Sequence, residues 1–267
     1  GRLLWSPSAT GPIVKRKQVV TLHDVAFLDA PQFFAANFAR AYRALMPPLM
    51  KMAEKIVTVS DFSRDRIVAT LGVDPGKIAV IGNGVSDHFR PYPPDAIAAT
   101  RAALNLPPRY MLLQATSDKR KNIHRALEAW VAALPGLPDD VELAVAGNLA
   151  RAHVFGDVGA VGDVPRVKLL GYVAEEHMGP LFAGAESFLF PSLYEGFGIP
   201  IIEAMACGVP VLTSAATATQ EVAGGAALLV DPASAADIAN GIVALANDAE
   251  LRAKLAKGEK LRVRASV

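Results

Sequence analysis

A single cysteine, Cys207, occurs in a chain of 267 residues. No disulfide can form within the chain, which fits a reducing cytoplasm. Net charge is equally scarce: 27 Lys and Arg against 26 Asp and Glu leave a formal +1. That balance argues against a general nucleic-acid surface, which needs a basic excess. No apolar run approaches the roughly 20 residues of a membrane-spanning helix, and no signal peptide is visible. The chain begins with Gly1 rather than Met, so the natural N-terminus is expected to lie upstream. There is no D-x-D and no His/Cys ligand grouping, so no metal centre is expected. No G-x-G-x-x-G is present, which disfavours a Rossmann dehydrogenase. What the chain does have is apolar material, 52% of its residues, enough for one large domain or two small ones.

The most informative stretch is Phe188 to Pro210, FLFPSLYEGFGIPIIEAMACGVP. An apolar run over Ser187–Phe190 suits a buried strand. Pro191 and Ser192 end it, and a glycine loop follows. Pro200 suits the first turn of a helix, where its missing N–H costs nothing, and Gly208 with Pro210 stops that helix. A helix start behind Gly196 and Gly198 is an anion site: unpaired N–H groups and the positive dipole end point at whatever lies in front. Two carboxylates flank it, Glu195 in the loop and Glu203 on the helix. Carboxylates do not bind phosphate, but they accept from hydroxyls. The combination predicts a ligand with both a diphosphate and sugar hydroxyls, a nucleotide-sugar.

The run E-G-F-G-x-P-x-x-E-A-M-A-x-G-x-P-V over Glu195–Val211 resembles the signature of the retaining GT-B glycosyltransferases, in the bacterial group 1, family 4 type that includes many mannosyltransferases. The resemblance implies that Glu203 holds the ribose hydroxyls. It implies that Glu195, with the backbone of Gly196, Phe197, Gly198 and Ile199, meets the transferred sugar. It covers nearly all of the chain.

The rest of the chain reads as strand–helix alternation, which predicts parallel sheets with right-handed crossovers. Gln18–Leu22 is a strand ending at His23, and ligands of parallel sheets sit beyond such ends. TLHDVAFL resembles the family's "HD" segment, which implies that His23 faces the donor sugar as a catalytic contact. Asn37–Lys55 looks helical, broken or kinked at Pro47 and Pro48; Tyr42, Arg43 and Lys51 give it a partly basic face, expected to be solvated, the alternative being a membrane contact. Strands over 56–59 and 78–81 flank a helix from Phe62 to Leu71 that Ser60 caps. The proline-rich segment 88–96 reads as the interdomain linker, followed by a short helix over 101–106.

Tyr110–Gln114 opens a second α/β unit. After it, Lys119, Arg120 and Lys121 concentrate positive charge between a strand end and the helix 123–134. This run resembles the family's "GTxxxRKN" segment, which implies that Arg120 and Lys121 neutralise the departing diphosphate and that Asn122 caps the helix. Strands over 141–146 and 167–170 follow, with a glycine-rich loop over 148–165 between them. The "LGYV" segment implies that the backbone at Tyr172 and Val173 holds the base. A helix is expected over 175–183, then a strand over 209–213, a loop over 217–221 and a phosphate-side turn at Glu221–Gly225, with Glu221 resembling the family's loop glutamate. A strand over 228–230 and helices over 234–246 and 249–257 complete the pattern.

The expected architecture is α/β and GT-B: two facing Rossmann-like domains with parallel sheets, residues 1–90 a partial acceptor-side domain and 91–267 the donor-binding domain. The start of the first domain and the C-terminal crossover helix are expected to be missing. By resemblance the activity is retaining, metal-independent transfer of a hexose, GDP-mannose favoured over a UDP-linked donor, to a glycan or lipid-linked acceptor hydroxyl in cell-surface polysaccharide synthesis. No cofactor is expected beyond the nucleotide-sugar substrate. The location implied is the cytoplasm, with peripheral contact at the inner membrane. The alternatives are an inactive nucleotide-sugar-binding module and a GT-B nucleotide-sugar epimerase.

Overall fold

The computed structural model describes residues 2–147 and 164–265, with side chains up to Lys257. The loop expected over 148–165 therefore lies almost wholly outside the described residues. The chain divides into two compact units. Unit 1 holds residues 1–83 together with Tyr194–Gly198 and Thr217–Val222. Unit 2 holds residues 84–193, 199–216 and 223–267.

Unit 1 is built on a four-stranded sheet in the order β1-β2-β3-β4: β1 Leu4–Ser6, β2 Gln18–Thr21, β3 Lys55–Thr58 and β4 Ile78–Val80. Every neighbouring pair is parallel. β1 had no expectation from sequence: LWS is too short to show a period. Helices α1 Ala26–Asp29, α2 Ala36–Met52 and α3 Asp61–Leu71 connect the strands. Val20, Leu22, Met46, Leu49, Met50, Ile56 and Ile67 form the core, each with no exposed surface.

α2 is one helix through Pro47 and Pro48, so of the break or kink expected there the break does not occur. Prolines cost a helix interior because they withdraw donors from the carbonyls four residues back. Here those carbonyls belong to Arg43 and Ala44, which are exposed along with both prolines, so water can serve them. On the opposite side Met46, Leu49 and Met50 are fully buried, and that packing outweighs the lost bonds. Tyr42 does not belong to the basic face: it is half-buried and packs on Phe27 and Phe38 at centroid distances of 5.0 and 4.3 Å. Arg43 and Lys51 are exposed.

Unit 2 carries a six-stranded parallel sheet in the order β10-β9-β8-β5-β6-β7: β5 Arg109–Gln114, β6 Val141–Ala146, β7 Val167–Gly171, β8 Ser187–Phe190, β9 Val211–Ser214 and β10 Leu228–Val230. Its helices are α4 Pro94–Ala103, α5 Ile123–Ala133, α6 Glu175–Ala183, α7 Ile199–Cys207, α9 Ala235–Asn247 and α10 Ala249–Ala265, while α8 Thr217–Ala223 falls largely in unit 1. α4 begins earlier than the helix expected at Arg101, so the end of the linker reading is corrected. Pro94 opens the helix at its first turn, a position that suits proline. α10 runs eight residues beyond the expected end at Lys257. α8 replaces the loop expected over 217–221.

The order of the strands determines where a ligand would sit. The chain goes from β5 to β6 on one side, then returns to β8 on the other. Open parallel sheets bind ligands outside the carboxyl ends of their strands, at such a reversal. The loops that leave β5 and β8 are the ones that carry Lys119–Lys121 and Pro191–Leu193.

Candidate active site

A cavity of about 520 Å³ lies at the carboxyl ends of β5, β6 and β7. Gln114 to Ser117 line it from β5, Ala146 and Gly147 from β6, and Tyr172, Val173 and Glu175 beyond β7. Phe89, Met178 and Glu203 complete the wall. Among the residues expected to hold a donor, Glu203, Tyr172 and Val173 thus share one cavity. Tyr172 is 82% exposed and Val173 is buried, so the backbone turns sharply between a solvated ring and an anchored side chain. Gly171 has φ 64°, which starts that turn.

Glu203 lies on α7, a helix with Ile201, Ile202, Ala204 and Met205 buried. That packing holds the helix against the sheet and turns one carboxylate toward the cavity. Burial pushes the Glu203 carboxyl up to about 7, because the anion loses water and, among the described residues, gains no cation. A group with hydroxyls to donate would restore part of that lost hydration. On the same helix, burial pushes the Cys207 thiol up to about 12. Cys207 is therefore a packed thiol rather than a nucleophile.

The basic run forms one 3-10 turn, Lys119–Lys121. Its cations have partners that the sequence reading missed. Arg120 clasps Asp118, with Nη2 2.7 Å and Nε 3.0 Å from Oδ2. Burial acts to raise the Asp118 carboxyl, but hydrogen bonds and charge from Arg120, with charge from Lys121, hold it below the usual carboxylate range. Lys121 Nζ lies 4.6 Å from the centre of the Phe190 ring, a cation–π distance. The Leu193 N–H donates to the Arg120 carbonyl at 2.7 Å. The two loops at the reversal are thereby joined in one piece of backbone, with Arg120 and Lys121 carried on it.

Asn122 was expected to cap α5; it stands at the N-cap position, but its side chain does not make the cap. It adopts a left-handed conformation with φ 59° and makes no side-chain cap bond. Its Nδ2 donates instead to the carbonyls of Pro191 and Pro232 at 2.9 and 2.8 Å. One amide thus ties the β8 and β10 ends to the start of α5. Asn122→Ala should cost about 2–4 kcal/mol in a urea unfolding series, since it takes the amide donor from the buried Pro191 carbonyl, leaves the Pro232 carbonyl a longer bond from Arg125 Nη1 at 3.3 Å, and places alanine at positive φ. A loss under 0.5 kcal/mol would contradict this tie.

In unit 1, His23 follows β2 and is exposed. The Asp24 Oδ1 accepts from the Ala26 N–H at 2.9 Å and so fixes the turn into α1. The half-buried Glu195 accepts at its carbonyl from the Ala218 N–H at 3.4 Å, and its N–H donates to Thr217 Oγ1 at 3.3 Å. A side chain at Gly196 would put Cβ 2.6 Å from the Asp24 Cβ and 3.1 Å from the His23 carbonyl. The glycine therefore lets this loop lie directly on the His23–Asp24 backbone. Phe197 places its ring 3.6 Å from where a Cβ on Gly82 would stand. Gly198 has φ 94° and Ile199, the first residue of α7, is 42% exposed.

Glu221 corrects a further expectation. It sits in α8, and its carboxylate accepts from the N–H groups of Asp61 and Phe62 at 2.9 and 2.8 Å. Ser60 Oγ accepts the next one, from Ser63, at 3.0 Å. The orphan donors at the start of α3 are thus met by side chains, and Glu221 caps a helix rather than opening a phosphate-side turn. Its partners lie about 160 positions away in sequence, so no local signal could have revealed them. Among the described residues no group of three or more His, Cys, Asp or Glu is placed to hold a metal ion. Among the same residues no helix is long and apolar enough to cross a membrane.

Comparison with known proteins adds to this geometry. The family described as glycosyl transferases group 1 matches residues 108–248, more than half of the chain, and glycosyltransferase family 4 matches residues 4–89. O-antigen chain mannosyltransferase B from Escherichia coli is 32% identical over 223 residues, which cover 81% of this chain and 58% of that protein. O-antigen chain mannosyltransferase RfbU from Salmonella typhimurium is 30% identical over 238 residues, covering 86% and 61%. The solved sucrose-phosphate synthase from Thermosynechococcus elongatus superposes with a TM-score of 0.73 at 26% identity, over 93% of this chain and 63% of that one. The chain therefore spans about three-fifths of the length of these relatives.

Proposed function

The chain belongs to the group 1 glycosyltransferases, and from that premise we propose that it transfers a hexose from a nucleoside diphosphate sugar to a glycan or lipid-linked hydroxyl, with retention at the anomeric carbon. Its fold is GT-B, with a parallel sheet in each unit. The observation that carries the proposal is the desolvated Glu203 carboxylate in a cavity at the strand ends of unit 2. A buried carboxylate acceptor suits ribose hydroxyls. The Tyr172–Val173 backbone suits the base. Mannose as the sugar and polysaccharide as the product are the reading favoured by the two O-antigen mannosyltransferase relatives; GDP as the carrier rests on the resemblance of the His23–Asp24 and Arg120–Asn122 segments to the family's.

In this reading the acceptor oxygen bonds to the anomeric carbon on the face that the diphosphate leaves. The bond from that carbon to the phosphate oxygen breaks, and the departing phosphate takes the hydroxyl proton. Charge on the diphosphate is met by Lys121, by Arg120 and by the backbone N–H groups at the start of α7. Glu195 and His23 contact the transferred sugar. No metal is required by this assignment. The work would take place in the cytoplasm, at the inner face of the membrane that holds the acceptor.

The test is a thermal-shift screen with GDP, UDP, ADP and their sugars, followed by turnover with an acceptor. One nucleotide should stabilise the protein by about 2.7 kcal/mol at a hundred times its Kd. Lys121→Ala should slow transfer about 100-fold, the cost of a lost charge-assisted contact in a shielded site. Nucleotide release that needs an acceptor would exclude an epimerase, and no turnover with any sugar nucleotide and acceptor would overturn transfer in favour of a binding module. Unchanged turnover would remove Lys121 from the mechanism.

A further inference from the structure

Glu195 stands between two residues whose contacts are unusual for a loop. Tyr194 is buried at 7% exposure, and its hydroxyl donates to Asp29 Oδ2 at 3.0 Å. The Asp29 side chain is itself 9% exposed. Its Oδ2 also accepts from Arg66 Nε at 2.7 Å, and its Oδ1 from Arg66 Nη2 at 2.8 Å and Thr70 Oγ1 at 2.9 Å. Four donors occupy the four lone-pair directions of one carboxylate. A carboxylate saturated in this way has one orientation, and it presents one fixed acceptor to the tyrosine. The Tyr194 ring packs edge-on against Phe62 at 5.7 Å and touches Ala26 and Ala30.

On the other side, the Gly196 carbonyl accepts twice, from Ser60 Oγ at 2.7 Å and Ser63 Oγ at 3.0 Å. Both serines are buried, with 1% and 0% exposure. They sit on the first turn of α3, whose start is already held by Glu221. The loop thus has a hydroxyl fixed one residue before Glu195 and a carbonyl fixed one residue after it. All of these groups lie in unit 1, although the loop follows a strand of unit 2 in sequence.

We propose that Asp29, acting through Tyr194, and the Ser60–Ser63 hydroxyl pair, acting through the Gly196 carbonyl, are positioning residues that hold Glu195 for transfer. The inference rests on the reading of Glu195 as a sugar contact. A side chain fixed on both flanks meets a developing charge without first being ordered, which is where positioning has its value. None of these groups touches the nucleotide cavity of unit 2, so their loss should slow the chemistry and leave nucleotide affinity alone.

The test uses Tyr194→Phe, which removes one hydroxyl and keeps the ring, and Ser63→Ala, which leaves the Ser60 cap in place. For each, amide exchange of the 194–198 segment, nucleotide Kd, and kcat and KM with the sugar nucleotide and acceptor are measured beside Glu195→Gln. Each variant should speed exchange in that segment about tenfold and lower kcat about tenfold, with Kd and KM within twofold. The pair combined should approach the kcat of Glu195→Gln. Unchanged exchange overturns the inference whatever the activity. Faster exchange with normal kcat, while Glu195→Gln is slow, also overturns it and leaves the Glu195 reading standing. A Glu195→Gln variant as active as the wild type overturns both.

Discussion

Glu203→Gln should have opposite effects on stability and on binding. In the folded protein burial pushes the carboxyl up to about 7 from an ordinary value of 4.5. The folded state therefore holds this proton more tightly than the unfolded chain does. The stability that this confers is full below about pH 4.5 and is lost as pH rises through 7. Above pH 7 the protein carries the cost of a buried anion, about 2–3 kcal/mol once partial exposure is allowed for. Glutamine has no anion to bury. The ligand-free variant should thus unfold several degrees higher than the wild type at pH 8, and at nearly the same temperature at pH 4.5, in a calorimetric scan.

Binding should move the other way. If the ionised carboxylate accepts from ribose hydroxyls, wild-type nucleotide affinity rises about tenfold per pH unit below 7 and levels off above it. Glu203→Gln should lose that slope, measured as its difference from wild type so that titration of the phosphate cancels. It should also lose at least tenfold in affinity at pH 8, and Glu203→Ala should lose the thermal shift altogether. A variant that kept full nucleotide stabilisation at pH 8 would refute the ribose assignment. A variant no more stable than wild type without ligand would refute the burial argument.

The second large effect is expected at Gly147. This residue has φ 126°, and a Cβ there would stand 1.8 Å from the Ala115 carbonyl oxygen and 2.9 Å from its carbon. Both contacts are with backbone, so no side chain can swing aside. The same backbone is pinned: the Ala115 N–H donates to Ala146, and the Gly147 N–H to Gly171, each at 2.7 Å. Gly147→Ala should cost more than ~3 kcal/mol and collapse the cavity that these residues line. Gly171→Ala supplies the contrast. Its φ is 64° and nothing lies within 4 Å of an added Cβ, so only the left-handed conformation is paid for, about 1 kcal/mol. Chemical denaturation of the two variants separates close approach from backbone preference. Equal losses would contradict the contact.

Much of the fold was legible because it rests on local signals. The strands 18–22, 110–114, 141–146 and 187–190 are short apolar runs, and each is a strand within a residue of its expected bounds. Ser60 and Ser234 cap helices because a hydroxyl three residues before an N–H is a local arrangement. α2 defied its prolines because the deciding term was burial of Met46, Leu49 and Met50, which no proline rule contains. β1 escaped notice because three residues carry no period.

By itself the sequence determined the alternation of strand and helix, the glycine loop before Pro200, the family, and the residue types offered to a ligand. These depend on neighbours within a turn or two, where spacing alone fixes the geometry. Only the tertiary structure decided that Asn122 ties two strand ends, that Glu221 caps α3, and that Tyr194 answers to Asp29. The last partners are 165 positions apart. A buried polar group must find a mate once water is gone, and which mate it meets is set by how the sheets bring distant segments together, not by anything written beside it in the chain.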